Sequence, residues 1–364
     1  MAPDALGTAE DLIRPVRRQE WALLRGLLSL GLPPDRRDDR GRSALMLLAG
    51  TPMPRKGIAP GAVVTGAGIL IDLGADVNAR DHQGHTALIL ASRSGAADLF
   101  DRLISEGADL NAASEDGRTA LTEAISRGHG AMVARLIQCG ADPNATIRTG
   151  KRTRFPLGMA VANRDAGMVG RLIAAGATIP PDGRSACDLF QKAAPQPEIV
   201  RLLAGSGVDL NRRDELNRYP LSTVMRHGPP ESAAAMIDAG AAPHLEDWRG
   251  QQPLMVFVKN GQAALVRLCV ETSDRIRQDP EIMRNAMYWA VRSARVEVVR
   301  TLLEYGTFFN RMAEVEALLQ WAEVPPESPH ARDRILALFR DRIGTGAGRQ
   351  NKGSAVMITG RPKG

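Results

Sequence analysis

The chain has 364 residues, a formal net charge of +6 and a sequence pI near 9.6, and it is 44% hydrophobic but only 4% aromatic. Three cysteines, Cys139, Cys187 and Cys269, are odd in number and far apart, which argues against a disulfide framework or a clustered zinc site and suits a reducing compartment. No stretch reaches the ~20 apolar residues of a membrane span, and Met1 to Pro15 lacks the pattern of a secretory signal, so a cytoplasmic protein with no membrane association is expected. With so few aromatics the core must be built from Leu, Ala, Val, Ile and Met, which suits small, closely packed helices. The excess of Arg reflects either a GC-rich genome or an acidic partner, for which Arg offers a forked, permanently charged donor set.

Apolar residues recur at helical spacing from Glu10 to Leu30, which predicts one helix stopped by Gly31 and Pro33-Pro34. Residues 1–37 therefore read as an N-terminal capping region. A turn and helix start follow at Gly41-Arg42-Ser43-Ala44-Leu45. The Pro- and Gly-rich run from Thr51 to Gly68 reads as a loop inserted between two helices. Its glycines are not followed by the Lys-Ser or Lys-Thr of a phosphate loop.

From here one phrase recurs. Gly74-Ala75-Asp76-Val77-Asn78 returns as Gly107-Ala108-Asp109-Leu110-Asn111 and as Gly140-Ala141-Asp142-Pro143-Asn144, each 33 positions after the last. Between copies, Gly84-His85-Thr86-Ala87-Leu88 matches Gly117-Arg118-Thr119-Ala120-Leu121. A fixed period of this length is the signature of a stacked repeat and overrides a count of domains by length. Each unit predicts a tight turn, a Thr-capped helix, a break and a second helix ended by a left-handed Gly.

These units resemble ankyrin repeats, whose pattern is a turn, Thr-Pro-Leu-His, a short helix, Gly-His, a longer helix and Gly-Ala-Asp-Val-Asn. The resemblance implies an all-α ankyrin-repeat solenoid of stacked helix-turn-helix units, with a protruding hairpin tip and two antiparallel helices per unit. The His after Leu is absent from every copy, from Thr86-Ala87-Leu88-Ile89 to Gln252-Pro253-Leu254-Met255. About eight repeats are expected over residues 38–312, with the insertion at 51–68. The fourth has a longer tip carrying Arg148, Lys151, Arg152 and Arg154 and no acid, and the fifth is degenerate. The eighth runs to Asn310. Residues 313–343 read as C-terminal capping helices, and 344–364 as a disordered basic tail.

No catalytic constellation is legible, and no cofactor, metal or small-molecule substrate is expected. The histidines are scattered, and Asp81, His82 and His85 read as a solvated turn. Cys187 occupies the inward position held elsewhere by Leu88 and Leu121. A recurring charge is informative instead. Five residues beyond the inward Leu of each first helix stand Arg93, Ser126, Ala162, Lys192, Arg226, Lys259 and Arg292. Arg127 and Arg164 follow closely in the two units lacking a cation there. In the resembled family this slot lines the concave groove, so the groove is expected to carry a basic stripe, with Trp248 and the Arg148–Arg154 tip as further contacts.

The expected function is a monomeric, noncatalytic protein-binding scaffold gripping an acidic protein, in the manner of bacterial inhibitors, immunity proteins or effectors. The alternative is nucleic-acid binding through the groove and the basic tail, which the scarcity of aromatics in the register disfavours.

Overall fold

The computed structural model describes residues 9–18, 20–50, 61–149, 152–306, 315, 318 and 329–346. The chain divides into two compact units, Met1–Ile179 and Pro180–Gly364. The first unit contains α1 (Ala9–Arg18), α2 (Trp21–Ser29), α3 (Ala44–Ala49), α4 (Ala62–Asp72), α5 (Ala87–Ser94), α6 (Ala97–Ser105), α7 (Ala120–Arg127) and α8 (Gly130–Gln138). A hairpin of β1 (Ile147–Thr149) and β2 (Arg152–Arg154) follows, then α9 (Pro156–Ala162) and α10 (Ala166–Ala174). The second unit contains α11 (Gly183–Ala193), α12 (Pro197–Ala204), α13 (Pro220–His227), α14 (Pro230–Asp238), α15 (Pro253–Asn260) and α16 (Ala263–Thr272). It continues with α17 (Asp274–Gln278), α18 (Pro280–Arg292), α19 (Val296–Tyr305) and α20 (Pro329–Gly346).

Within each unit first helices pack on first helices, as α3, α5, α7 and α9 do, and second helices on second, as α12, α14, α16 and α19 do. The inward pairs of the first helices lie three residues apart on one face. Leu88 and Ala91, Leu121 and Ala124, Leu221 and Val224, and Leu254 and Phe257 are all buried. Each buried Leu contributes about 1.5–3 kcal/mol. Helix starts are fixed in two ways. Thr86 and Thr119 accept hydrogen bonds from the amides of Ile89 and Thr122, whereas α9, α13 and α15 open on a proline, whose missing N–H would have no helical partner there.

The recurring Gly-Ala-Asp-x-Asn phrase has a structural cause. Asp76, Asp109 and Asp142 each close a turn by accepting the amide of the Asn two residues on. The Asn side chain then reaches the next repeat. Asn78 accepts from Asp109 N at 2.7 Å and donates to the Gly107 carbonyl, and Asn111 accepts from Asp142 N. Asn144 accepts from Thr178 N and donates to Gly176 O, and Asn211 does the same with Ala242 N and Gly240 O. Asp35 supplies the first rung by accepting from Asp76 N. Pro180, standing where the next Asn would, has no such side chain. Replacing Asn144 by Ala removes these bonds, and a third that the Thr178 hydroxyl donates to Asn144 Oδ1 at 3.1 Å, at an exposed site, so a loss of about 1 kcal/mol in urea denaturation is expected, with unchanged helical content by circular dichroism.

Three expectations change. The helix over 10–30 is two helices, α1 and α2, packed on each other. Folding back lets Leu12 and Ile13 as well as Leu24 and Leu28 become buried, which one straight rod would not allow. The insertion is shorter than 51–68, because Ala62 to Asp72 form α4 with Val63, Ala67, Ile69 and Leu70 buried; residues 51–60 lie outside the described residues. The fourth tip keeps the hairpin form that the resemblance implies, built of two short strands with Ile147 opposite Arg154, Arg148 opposite Thr153 and Thr149 opposite Arg152. At the C-terminal end, Val315 and Leu318 are helical and buried, and α20 extends to Gly346, past the expected boundary at 343. The tail from 347 onward lies outside the described residues.

Candidate partner-binding site

The slot five residues beyond the inward residue is the last turn of each first helix. Carbonyls there lack helical partners and form the negative end of the helix dipole, so a cation is favoured by about 0.3–1 kcal/mol whatever else it does. Part of the recurrence therefore has a local cause. Lys192, Arg226, Lys259 and Arg292 are exposed, as are Ser126 and Ala162 in the first unit.

Arg93 differs from the others. Its guanidinium lies 3.1 Å from Glu123, a carboxylate with only 2% of its side chain exposed, and Arg118 reaches the same carboxylate at 2.7 Å. Burial pushes the Glu123 carboxyl up, but the bonds from Arg118 and Arg93 outweigh it and hold the group below its ordinary value. Arg93 Nη2 also stands 3.0 Å from His85 Nε2. Since a guanidinium can only donate, Nε2 must accept, which makes His85 neutral with its proton on Nδ1, donated to Asp81 at 3.2 Å. The expectation of Arg93 as a free binding cation is corrected: it is a structural link between α5 and α7. The expectation of a solvated Asp81–His82–His85 turn is corrected as well, because Asp81 and His85 are nearly buried.

The same offset appears in the second unit with a different outcome. Arg93 to Glu123 and Lys259 to Trp289 are both 30 positions apart, so the last-turn residue of one first helix meets the residue two beyond the first inward one, Leu121 or Met287, of the next. Lys259 Nζ sits 3.6 Å from the Trp289 ring centroid, and the Arg292 guanidinium approaches the same ring at 5.3 Å. Arg292 also donates to the Tyr288 hydroxyl at 2.9 Å. Partial burial, then the charge of Arg292, hold the Lys259 ammonium below its usual value. An aromatic thus stands within the basic register, contrary to the expectation from the slot residues alone. Arg226 lies 3.6 Å from the buried Asp247, whereas Lys192 has no ion pair among the described residues.

In the first unit Arg127, Arg148, Arg154 and Arg164 are exposed, with no side-chain partner among the described residues. Arg164 has φ 59, at the helix break where Gly128 stands one repeat earlier with φ 74. Lys151 lies outside the described residues, and of Arg152 only the backbone is described. Trp248 is 52% exposed, with the Arg249 guanidinium 4.5 Å from its ring, and so projects from its tip. Leu216, 65% exposed on the preceding tip, carried no signal in the sequence because it sits in a polar turn. Cys187 and Cys269 are buried core residues, and burial pushes the Cys187 thiol up to about 12. Among the described residues no group of His, Cys, Asp and Glu is arranged to hold a metal, and no helix is long and apolar enough to cross a membrane.

Stacked helix pairs with projecting tips and a variable charged register define a repeat scaffold that presents surface. The family model for ankyrin repeats in three copies matches residues 64–147 and 221–313. The chain is an ankyrin-repeat protein. It is 34% identical over 78 residues to the NF-kappa-B inhibitor alpha of Sus scrofa, covering 21% of this chain and 25% of that protein. The corresponding human protein is 34% identical over 84 residues, covering 23% of this chain and 26% of that one. The chain therefore spans about a quarter of the length of the curated relatives it matches.

Proposed function

We propose that the chain is a noncatalytic, cytoplasmic binding protein that holds an acidic protein partner, with Lys192, Arg226, Lys259 and Arg292 of the second unit as the principal contacts. The observation that carries this reading is the convergence of Lys259 and Arg292 on the Trp289 ring. Two like charges crowded on a partly buried indole repel each other, and a carboxylate brought by a partner relieves both. In the first unit the equivalent position already holds its own carboxylate, Glu123. The relatives are named as inhibitors of NF-kappa-B, and this chain is read by analogy as an inhibitor, immunity or effector protein that acts by occupying its partner.

Affinity capture from the native host, followed by binding measurements on the captured protein, tests the reading. Charge reversal at Arg226, Lys259 and Arg292 together is expected to weaken binding at least ~10-fold, about 1.4 kcal/mol, and to flatten its salt dependence. Unchanged affinity would overturn it. Retention of nonspecific DNA or RNA at physiological salt would point instead to nucleic acid, for which a Trp289 ring already approached by Lys259 and Arg292 is a poor stacking platform.

A further inference from the structure

Successive tips of the first unit are joined by single backbone hydrogen bonds. His82 N donates to Arg40 O at 3.0 Å, Glu115 N to Gln83 O at 2.9 Å, and Arg148 N to Asp116 O at 3.0 Å. At the fourth tip this series meets the hairpin, where Arg148 is paired with Thr153. Because the Arg148 amide is directed at Asp116, the pair is the non-hydrogen-bonded kind, in which both residues turn their N–H and C=O away from the opposite strand. β1 thus faces the third tip, and β2 turns the amide and carbonyl of Thr153 in the other direction. Among the described residues no backbone group meets them. Thr153 is exposed.

We propose that this outer edge of β2 binds an extended, acidic segment of a partner protein by taking it up as a third strand. An open edge is a ready template for main-chain pairing. Charge selects the occupant. Arg148 lies on the same face of the hairpin as Thr153 and Arg154 on the opposite face, since neighbouring residues alternate. Both arginines are exposed without a partner among the described residues, and no acid occurs between Thr146 and Arg154. A strand carrying acids meets a cation on either face, while one carrying Lys is repelled. The site is separate from the second-unit cations above.

The test uses the full chain and a labelled heptapeptide of alternating Glu and Val, with its Lys/Val counterpart as control. Thr153→Pro removes the outward amide without touching a ladder bond, as proline at a strand edge can, and Thr153→Val keeps it. The Glu/Val peptide is expected to bind wild type and Thr153→Val alike, to slow exchange of the Thr153 amide several-fold, and to bind Thr153→Pro at least ~10-fold more weakly at equal thermal stability. Should Thr153→Pro misfold, Arg148→Glu with Arg154→Glu is expected to give the same loss. Equal binding of the Lys/Val peptide, full binding by a folded Thr153→Pro, or protection of the edge by an oligonucleotide would each overturn the proposal. Loss of the peptide only on Lys259→Glu with Arg292→Glu would place it at the second-unit cations, overturning this inference and leaving the earlier reading intact.

Discussion

Glu123→Gln is expected to destabilise the first unit by about 2–3 kcal/mol at neutral pH, measured by urea unfolding. Removing one member of a buried ion pair typically costs 3–5 kcal/mol, because the remaining charge is stranded. The figure is lower here because Arg93 and Arg118 keep about a third of their side chains exposed and can turn to water; what remains is three charge-assisted hydrogen bonds, one of them long at 3.4 Å. The pH dependence identifies the cause. Since the folded carboxyl is held below its ordinary 4.5, its contribution is fully present above that pH and is lost as pH falls through the lowered value. The gap between wild type and Glu123→Gln should therefore narrow in acid, where protonated Glu and Gln become equivalent. Asp38 and Asp116 are also lowered, partial burial being outweighed by hydrogen bonds from Arg42 and from Ser114 with Arg118, so some acid sensitivity should persist in the variant. A gap independent of pH would show that Glu123 acts through packing alone.

Gly117→Ala is the second large effect. Gly117 has φ 83, a left-handed backbone that costs an L-residue about 1–2 kcal/mol. A methyl group there would also meet the Thr146 carbonyl of the next tip, a backbone atom whose movement would pull on the Arg148–Asp116 bond. A total loss of about 2–4 kcal/mol is expected, with faster amide exchange at Arg148. Gly128→Ala is the control, since φ is 74 but a methyl there meets only open space; about 1–2 kcal/mol is expected. Equal losses for the two variants would remove the tip contact from the account.

Much of the fold was written in local patterns. The Gly-Ala-Asp-x-Asn phrase reported the period because each of its residues has a fixed duty, from the left-handed Gly to the Asn that bridges onward. Thr86 and Thr119 marked helix starts because a cap is a contact three residues away. Illegible were contacts between repeats. Nothing in the slot count showed that Arg93 meets Glu123 and Lys259 meets Trp289, yet comparing residues 30 apart instead of 33 would have paired them. The break between α1 and α2 was hidden because both helices share one apolar period, and the strands at 147–154 because three-residue segments rich in Arg carry no alternation.

The Asn ladder has one more consequence. Gly140 and Gly176 are separated by 36 positions, three more than the usual period, yet Asn144 still reaches Gly176 O at 3.1 Å. The pitch of the stack is set by side chains that span it, and surplus residues are pushed outward into the hairpin. Tip length is thereby uncoupled from helix packing, so a new recognition sequence can be grafted between Thr146 and Phe155, by evolution or by design, while the framework that presents it stays the same.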